Sequence, residues 1–237
     1  FDSANESFTA RYTHETIALA FSITEEAVED NLYDSVAKRY TKALARSMAQ
    51  TKQIKAANIL NNAFSVTTVS GDKQFLIDND HPTIGGGNQT NRPTTLADLS
   101  ETSLEQAMID IAAFKDERGL KIAARGMKLI VPSANQFNAE RILKSNQRVG
   151  TSDNDINALS SKGMLPQGYV VNNFLTDSDA FFIKTDVPNG LKHFQRAALK
   201  TAMEGDFDTG NMRYKARERY SFGASDWRGI YGSDGSA

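Results

Sequence analysis

The chain contains no cysteine. That removes disulfides, thiolate metal ligands and cysteine nucleophiles together, so stability has to come from burial and association. It also lacks any uninterrupted apolar run of the ~18 residues that a membrane-crossing helix needs. The sequence starts at Phe1 with no charged-then-apolar leader behind it. This predicts a chain that begins mid-sequence, after a cleaved leader or after an upstream segment. An excess of basic residues is absent as well: Lys and Arg number 27 against 29 Asp and Glu, for a net charge of −2. Affinity for nucleic acid rests largely on neutralising phosphates, so this balance argues against a protein whose task is to grip DNA or RNA. There is no internal repeat and no low-complexity tract.

The 237 residues suffice for one large domain or two modest ones sharing a core. Hydrophobic residues make up 40% and charged residues 24%, which is globular on the polar side. That leaves room for extended segments that find their partners on another chain.

Periodicity sets out the elements. Ile17, Leu19, Phe21 and Ile23 alternate with Ala18, Ala20 and Ser22, the period of a half-buried strand. An ordinary edge strand fits this pattern as well as an extended hairpin does. Thr24 caps a short helix over 25–30. A long helix then follows, with Asp34 or Ser35 as candidate caps. Val36, Tyr40, Leu44 and Met48 recur every fourth residue, Ala43 and Ser47 lie beside them, and the pattern runs on through Ile54, Ala57 and Leu60 to about Asn61. At ~1.5 Å per residue this predicts roughly 40 Å of helix, well beyond the globular mean of about 11–12 residues. A helix that long needs a large domain or neighbouring subunits around it. The segment entering it is acidic (Glu25, Glu26, Glu29, Asp30, Asp34), and its first turns are basic (Lys38, Arg39, Lys42, Arg46). The nearest acids complement the helix dipole.

From Ser65 to Leu99 the chain reads as loop, marked by Gly71, Pro82, Gly85-Gly86-Gly87 and Pro93. Long loops of this kind are usually functional or interaction surfaces. Leu104, Met108, Ile111 and Phe114 mark a second amphipathic helix, capped near Ser100 or Ser103 and stopped by Gly119. Met127–Val131 reads as a buried strand. Ser133 and Gln136 have capping-box spacing ahead of a third helix bearing Phe137, Ile142 and Leu143. Another loop, from Gly150 to Gly163, leads to strands near Tyr169–Val171 and Ala180–Lys184. Pro188-Asn189-Gly190 is a turn. In the last part, Tyr214, Ala216, Glu218, Tyr220 and Phe222 share one strand face, with Arg213, Lys215, Arg217 and Arg219 on the other. The mixture reads as α+β.

No residue pattern nominates catalysis, a cofactor or a metal. The three histidines, His14, His81 and His193, are far apart and lack metal spacing. His81 has Asp78 and Asp80 beside it, but adjacent residues rarely converge on one ion, and a polar turn is the plainer reading. Gly85-Gly86-Gly87 lacks the Lys and Ser/Thr of a nucleotide loop. Ser133 follows Pro132, outside any nucleophile elbow. The stripe Arg213, Lys215, Arg217, Arg219 fits either about four phosphate contacts or pairing with acids on adjacent strands or subunits. The negative net charge favours subunits.

Several ordered pieces have a familiar sequence. Ile23-Thr24-Glu25-Glu26-Ala27-Val28-Glu29-Asp30-Asn31 precedes the long helix, which ends in Ala56-Ala57-Asn58-Ile59-Leu60-Asn61-Asn62-Ala63-Phe64. Asp80-His81-Pro82, Gly85-Gly86-Gly87 and Asn91-Arg92 come next. Leu175-Thr176-Asp177-Ser178-Asp179-Ala180, Arg217-Glu218-Arg219-Tyr220-Ser221-Phe222-Gly223 and Asp226-Trp227-Arg228-Gly229 close the series. In order and spacing, over nearly the whole chain, these resemble the Mu-like and related major capsid proteins of tailed bacteriophages, which have the Hong Kong 97-like fold.

The resemblance implies an architecture. Residues 1–24 would be the end of an extended hairpin, the E-loop. Residues 25–98 would be a peripheral domain with a spine helix, 99–190 an axial domain, and 191–237 the return to the peripheral domain. It implies hexamers and pentamers that close into an icosahedral shell around double-stranded DNA, without sequence-specific binding and without a membrane. Portal, scaffolding and decoration proteins are implied partners, and assembly would occur in the bacterial host cytoplasm. Candidate subunit-interface residues are then Ile17, Leu19 and Phe21 on the ribbon. The acids Glu25, Glu26 and Glu29 and the cations Lys38, Arg39, Lys42, Arg46, Arg213, Lys215, Arg217 and Arg219 join them.

Two other readings compete. An encapsulin-like nanocompartment shell would show a groove for a cargo peptide on its inner face. A soluble α+β hydrolase would show a deep pocket with two or more carboxylates of shifted pKa.

Overall fold

A computed structural model describes residues 8–30, 33–65, 71–85, 87–148 and 155–235. Phe1, Asn31, Gly86 and the 150–154 part of the second loop lie outside the described residues, as do the side chains of the nominated caps Asp34 and Ser35 and of Val36. The chain divides by contact into two compact units. One comprises 1–11, 57–192 and 223–237; the other comprises 12–56 and 193–222.

The first unit is built on a four-stranded sheet. Its strands are β4 (Gly126–Val131), β5 (Tyr169–Val171), β6 (Phe181–Thr185) and β9 (Ile230–Ser233), in the order β5-β4-β6-β9. β4 and β5 are parallel, and the other pairs are antiparallel. Both faces are covered, so the strands read as continuous apolar runs. Alternate residues serve different cores. Leu129, Val131, Phe181, Ile183 and Tyr231 pack with Leu104, Met108, Ile111 and Ile142. Phe182 and Ile230 pack with Leu60, Ala63, Leu76 and Ile77 on the opposite side.

α3 (Glu101–Ala112) starts where the sequence placed it. The Ser100 hydroxyl accepts the Ser103 N–H, and the Ser103 hydroxyl accepts the Ser100 N–H. It stops seven residues before Gly119. The reason is a competing turn: the Asp116 carboxylate accepts the N–H groups of Arg118 and Leu120, each at 2.8 Å. These bonds hold the Asp116 carboxyl below its ordinary range. Gly119, at φ 84°, serves that turn.

α4 (Gln136–Lys144) follows a single 3₁₀ turn, Ser133–Asn135, and carries no side-chain cap. The Ser133–Gln136 capping box therefore does not form. Phe137 points outward, 69% exposed, while Ile142 enters the core. α5 (Ala158–Ser161) is capped by Asn157.

Among its described residues, the 65–99 stretch forms two short strands, β2 (His81–Pro82) and β3 (Asn88–Gln89). It is nonetheless anchored, with Leu76, Ile77, His81 and Asn91 fully buried. His81 does not gather its neighbours Asp78 and Asp80. Its Nδ1 lies 2.6 Å from Asp72, its Nε2 3.2 Å from the Asn91 side-chain oxygen, and its ring stacks on Trp227 at 4.4 Å. Among the described residues, no group of three or more His, Asp or Glu is placed to hold a metal, and no helix is long and apolar enough to cross a membrane.

The second unit lays α2 (Tyr33–Asn61) on a three-stranded antiparallel sheet. The strands are β1 (Glu15–Ile23), β7 (Leu191–Gly205) and β8 (Met212–Ala224), in the order β1-β8-β7. The helix has 29 residues, roughly 44 Å at 1.5 Å each. Only its residues up to Ala56 belong to this unit; the rest enter the first unit's core. α1 (Glu25–Glu29) sits before it, capped by the Thr24 hydroxyl. The buried helix stripe is Ala37, Leu44 and Met48. Ala43 is exposed, and Tyr40, 53% exposed, reaches over to Phe21 at a ring distance of 5.5 Å.

Candidate subunit interface

Every nominated interface residue falls within the second unit, 12–56 and 193–222. β8 organises them. Its even-numbered side chains turn inward: Ala216, Glu218 and Tyr220 are buried, Tyr214 half so. Its odd-numbered side chains Arg213, Lys215, Arg217 and Arg219 are exposed. Their cross-strand neighbours on β1 are Ser22, Ala20, Ala18 and Thr16. Small neighbours leave the row of cations uncovered. Arg213 is tied to Asp206. Among the described residues, Lys215, Arg217 and Arg219 have no ion pair.

The inward face has a different character. Ile17 lies opposite Glu218, Leu19 opposite Ala216, and Phe21 opposite Tyr214. Phe21 stacks on Tyr214 at 4.9 Å and 10° between planes. Ile17 and Phe21 pack against Leu44, Met48 and Ala216. Leu19, on the same strand face, remains 43% exposed. The ribbon is thus split in role: two of its apolar residues complete a small core and the third stays accessible.

Glu218 is a buried carboxylate whose partner comes from α2. Lys52 Nζ lies 3.3 Å from it and 4.9 Å over the Tyr220 ring. Lys55 pairs with Glu15 at the start of β1. Tyr220 is pushed above its ordinary pKa by burial, and Glu218 and Glu15 push it further. His193, stacked on Phe222 at 4.6 Å, is held below its ordinary value by desolvation and by Lys52.

The charged candidates lie on α1, α2 and β8. Lys38, Arg39, Lys42 and Arg46 are exposed on α2. Glu25, Glu26 and Glu29 are exposed on α1, and the Glu25 carboxylate abuts Gly210 in the β7–β8 turn. That turn adds Asp206 and Asp208, beside Glu204 at the end of β7. α1 and the β7–β8 turn are thus rich in carboxylates and the β8 outer face in cations, the two joined through the Arg213–Asp206 pair, and identical chains can bring such unlike patches together.

Periodicity did not pick out β7, although the resemblance implied strands from about Leu191 onward. Its composition, LKHFQRAALKTAMEG, mixes Ala and Lys with apolar residues at no fixed period, so no strand signal stands out. Yet β7 is a 15-residue edge strand, and it exposes Phe194, Leu199 and Met203. The turn beyond it presents Phe207 wholly to solvent. The Gly210 punctuation could have signalled that turn.

A family model described as phage capsid protein matches residues 7–233, nearly the whole chain. No curated protein matches it. Among solved structures, the capsid of cyanophage P-SCSP1u is 11% identical, covers 100% of this chain and 79% of its own, and superposes with a TM-score of 0.57. The capsid of Myoviridae phage XM1 is 12% identical, covers 100% and 81%, and scores 0.53. A chain from Mycobacterium phage Che8 is 16% identical, covers 94% and 72%, and also scores 0.53. At these identities the likeness is one of fold: a mixed helix-and-sheet architecture of the phage capsid type.

Proposed function

The chain belongs to the phage capsid protein family, and from that premise we propose that it is the head subunit that closes an icosahedral shell of hexamers and pentamers around double-stranded DNA. Its role is that of a major capsid protein, a structural component of the virion. The finer reading is a Hong Kong 97-like subunit. α2 is its spine helix, 25–98 and 191–237 make up the peripheral domain, 99–190 the axial domain, and β1 continues into an extended hairpin laid on a neighbour. Portal, scaffolding and decoration proteins are its further partners, and the shell is assembled in the host cytoplasm.

One observation carries the reading beyond family membership. β7 leaves a long strand edge open and exposes Phe194, Leu199 and Met203, while Leu19 stays accessible on β1. Exposed apolar edges of this length invite pairing with another chain, and stable monomers usually blunt or cover them. A shell covers them with sister copies. Within it, Ile17, Leu19 and Phe21 supply apolar contact, and Glu25, Glu26 and Glu29 face cations of a neighbour. Lys38, Arg39, Lys42, Arg46, Arg213, Lys215, Arg217 and Arg219 are the matching positive set.

Electron cryomicroscopy of particles formed by the intact protein tests this. Closed shells with six-fold and five-fold clusters are expected. Open sheets, or rings of a single symmetry, would contradict it.

A further inference from the structure

Two ion pairs fasten α2 to the sheet of the second unit: Lys52–Glu218 at 3.3 Å and Lys55–Glu15. The first is nearly sealed, with the Glu218 side chain 5% exposed. The Tyr220 ring lies at its centre. Lys52 Nζ sits 4.9 Å over that ring, and the His193 ring stands against it at 6.0 Å and 64°. His193 also stacks on Phe222 at 4.6 Å and 22°. An imidazole and an ammonium therefore flank the same aromatic ring.

A proton on that imidazole adds a second cation beside Lys52, and like charges at close range disfavour the charged form. Among the described residues, neither ring nitrogen of His193 has a hydrogen-bond partner, so no acceptor is placed to hold an imidazolium. The charged and titratable groups around the ring are Lys52 from α2, Glu218 and Tyr220 from β8, and Glu15 from β1, which Lys55 pairs. Glu218 favours the proton, but desolvation and then Lys52 oppose it, and the balance holds His193 below its ordinary 6.5. The residue is open to solvent, so protons reach it. β7 pairs with β8 alone, and local opening draws on the least-secured elements.

We propose that His193 is an acid-operated release in the second unit: protonating its ring frees the His193 end of β7 from Tyr220 and Phe222, beside the Lys52–Glu218 pair that fastens α2. The inference concerns one chain and does not depend on how copies assemble. The direction follows from linkage. A histidine depressed in the folded state contributes stability that is intact above the ordinary value, and it is lost as pH falls from there through the depressed one.

The test is run on the intact protein. Exchange of the histidine C2 proton, read by mass spectrometry across a pH series, reports each histidine separately. His193 is expected to titrate below the ordinary histidine value. Lys52→Met is expected to shift its midpoint upward and Glu218→Gln downward, opposite signs that loss of packing alone would not give. His193→Phe keeps a stacked ring without the charge. Its thermal midpoint is expected to match the parent at neutral pH and to fall less as pH drops from ~7 to ~5. Amide exchange in peptides spanning 193–199, corrected for its intrinsic pH dependence, is expected to speed up severalfold over that range in the parent and not in His193→Phe. A His193 midpoint at or above the ordinary value overturns the release, as does an acid response of His193→Phe equal to the parent's. Where Lys52→Met or Glu218→Gln fails to fold, the parent and His193→Phe decide the question between them.

Discussion

His81 Nδ1 and Asp72 Oδ2 lie 2.6 Å apart, with both side chains sealed from solvent. The geometry of Asn91 fixes the rest. Its side-chain N–H₂ donates to the carbonyls of Leu76, Trp227 and Ile230 at 2.8, 3.1 and 3.0 Å. Its oxygen therefore faces His81, so Nε2 of the ring must donate. Nδ1 faces Asp72 on the other side of the ring. Two separate sequence stretches, 72–91 and 227–230, are joined by this network.

Removing either residue breaks a fully buried contact and leaves the other with only its remaining hydrogen bonds, from the Gln74 N–H for Asp72 and with Asn91 for His81; breaking a buried pair costs about 3–5 kcal/mol. His81→Ala and Asp72→Ala are each expected to lower the urea midpoint of the subunit by a comparable amount. The double variant should cost clearly less than the sum, because both changes act on one interaction. Additive losses would show that the two residues are independent.

Leu19 and Phe21 share a strand face but not a fate. Phe21→Asp is expected to destabilise the second unit by about 3 kcal/mol or more, because Phe21 packs against Leu44 and stacks on Tyr214. Leu19→Asp is expected to leave thermal unfolding of the unassembled subunit nearly unchanged and to cut the yield of particles. Calorimetry together with particle yield separates the two. A strong loss of fold in Leu19→Asp would place that residue in the core.

Gly229 and Gly190 cross at a distance that admits no side chain: a Cβ on Gly229 would sit 2.3 Å from the Gly190 Cα. Gly229→Ala must push backbone against backbone, so a loss at or above the ~1–3 kcal/mol typical of overpacking is expected in urea unfolding. An unchanged midpoint would mean that the crossing is loose.

Tyr231 donates its hydroxyl to Asp110 at 2.7 Å. Burial, then that hydrogen bond and the Asp110 charge, push its pKa well above the ordinary 10. A raised folded pKa contributes stability that is intact below pH ~10 and is lost as pH climbs beyond it. The subunit should therefore lose stability above pH 10. Tyr231→Phe should cost about 1.5–3 kcal/mol at neutral pH and flatten the alkaline decline. Phenolate absorbance at pH 10, before any unfolding, that is present in the parent and missing from Tyr231→Phe would contradict this.

What the sequence made legible was local. Period two gave β1 and β8, continuous apolar runs gave β4, β5 and β6, and period near four gave α2 and α3. The alternation of cations and buried residues along β8 came out residue by residue. β7 was hidden because its strand state comes from pairing with β8, which composition does not encode. The early end of α3 and the idle Ser133 hydroxyl both reflect turns that outcompeted helix signals. His81 looked like a polar turn because its partners, Asp72, Asn91 and Trp227, are brought to it by tertiary structure. The interface candidates were found as residue types. That they fall in one unit, with carboxylates on α1 and cations on the β8 outer face, needed the fold.

Sedimentation velocity of the intact protein at increasing concentration tests the central claim most directly. A subunit built to close a shell should pass from a slow species to a single very fast boundary of uniform, megadalton-scale particles. A single slow boundary near the mass of one chain at every concentration would contradict the account.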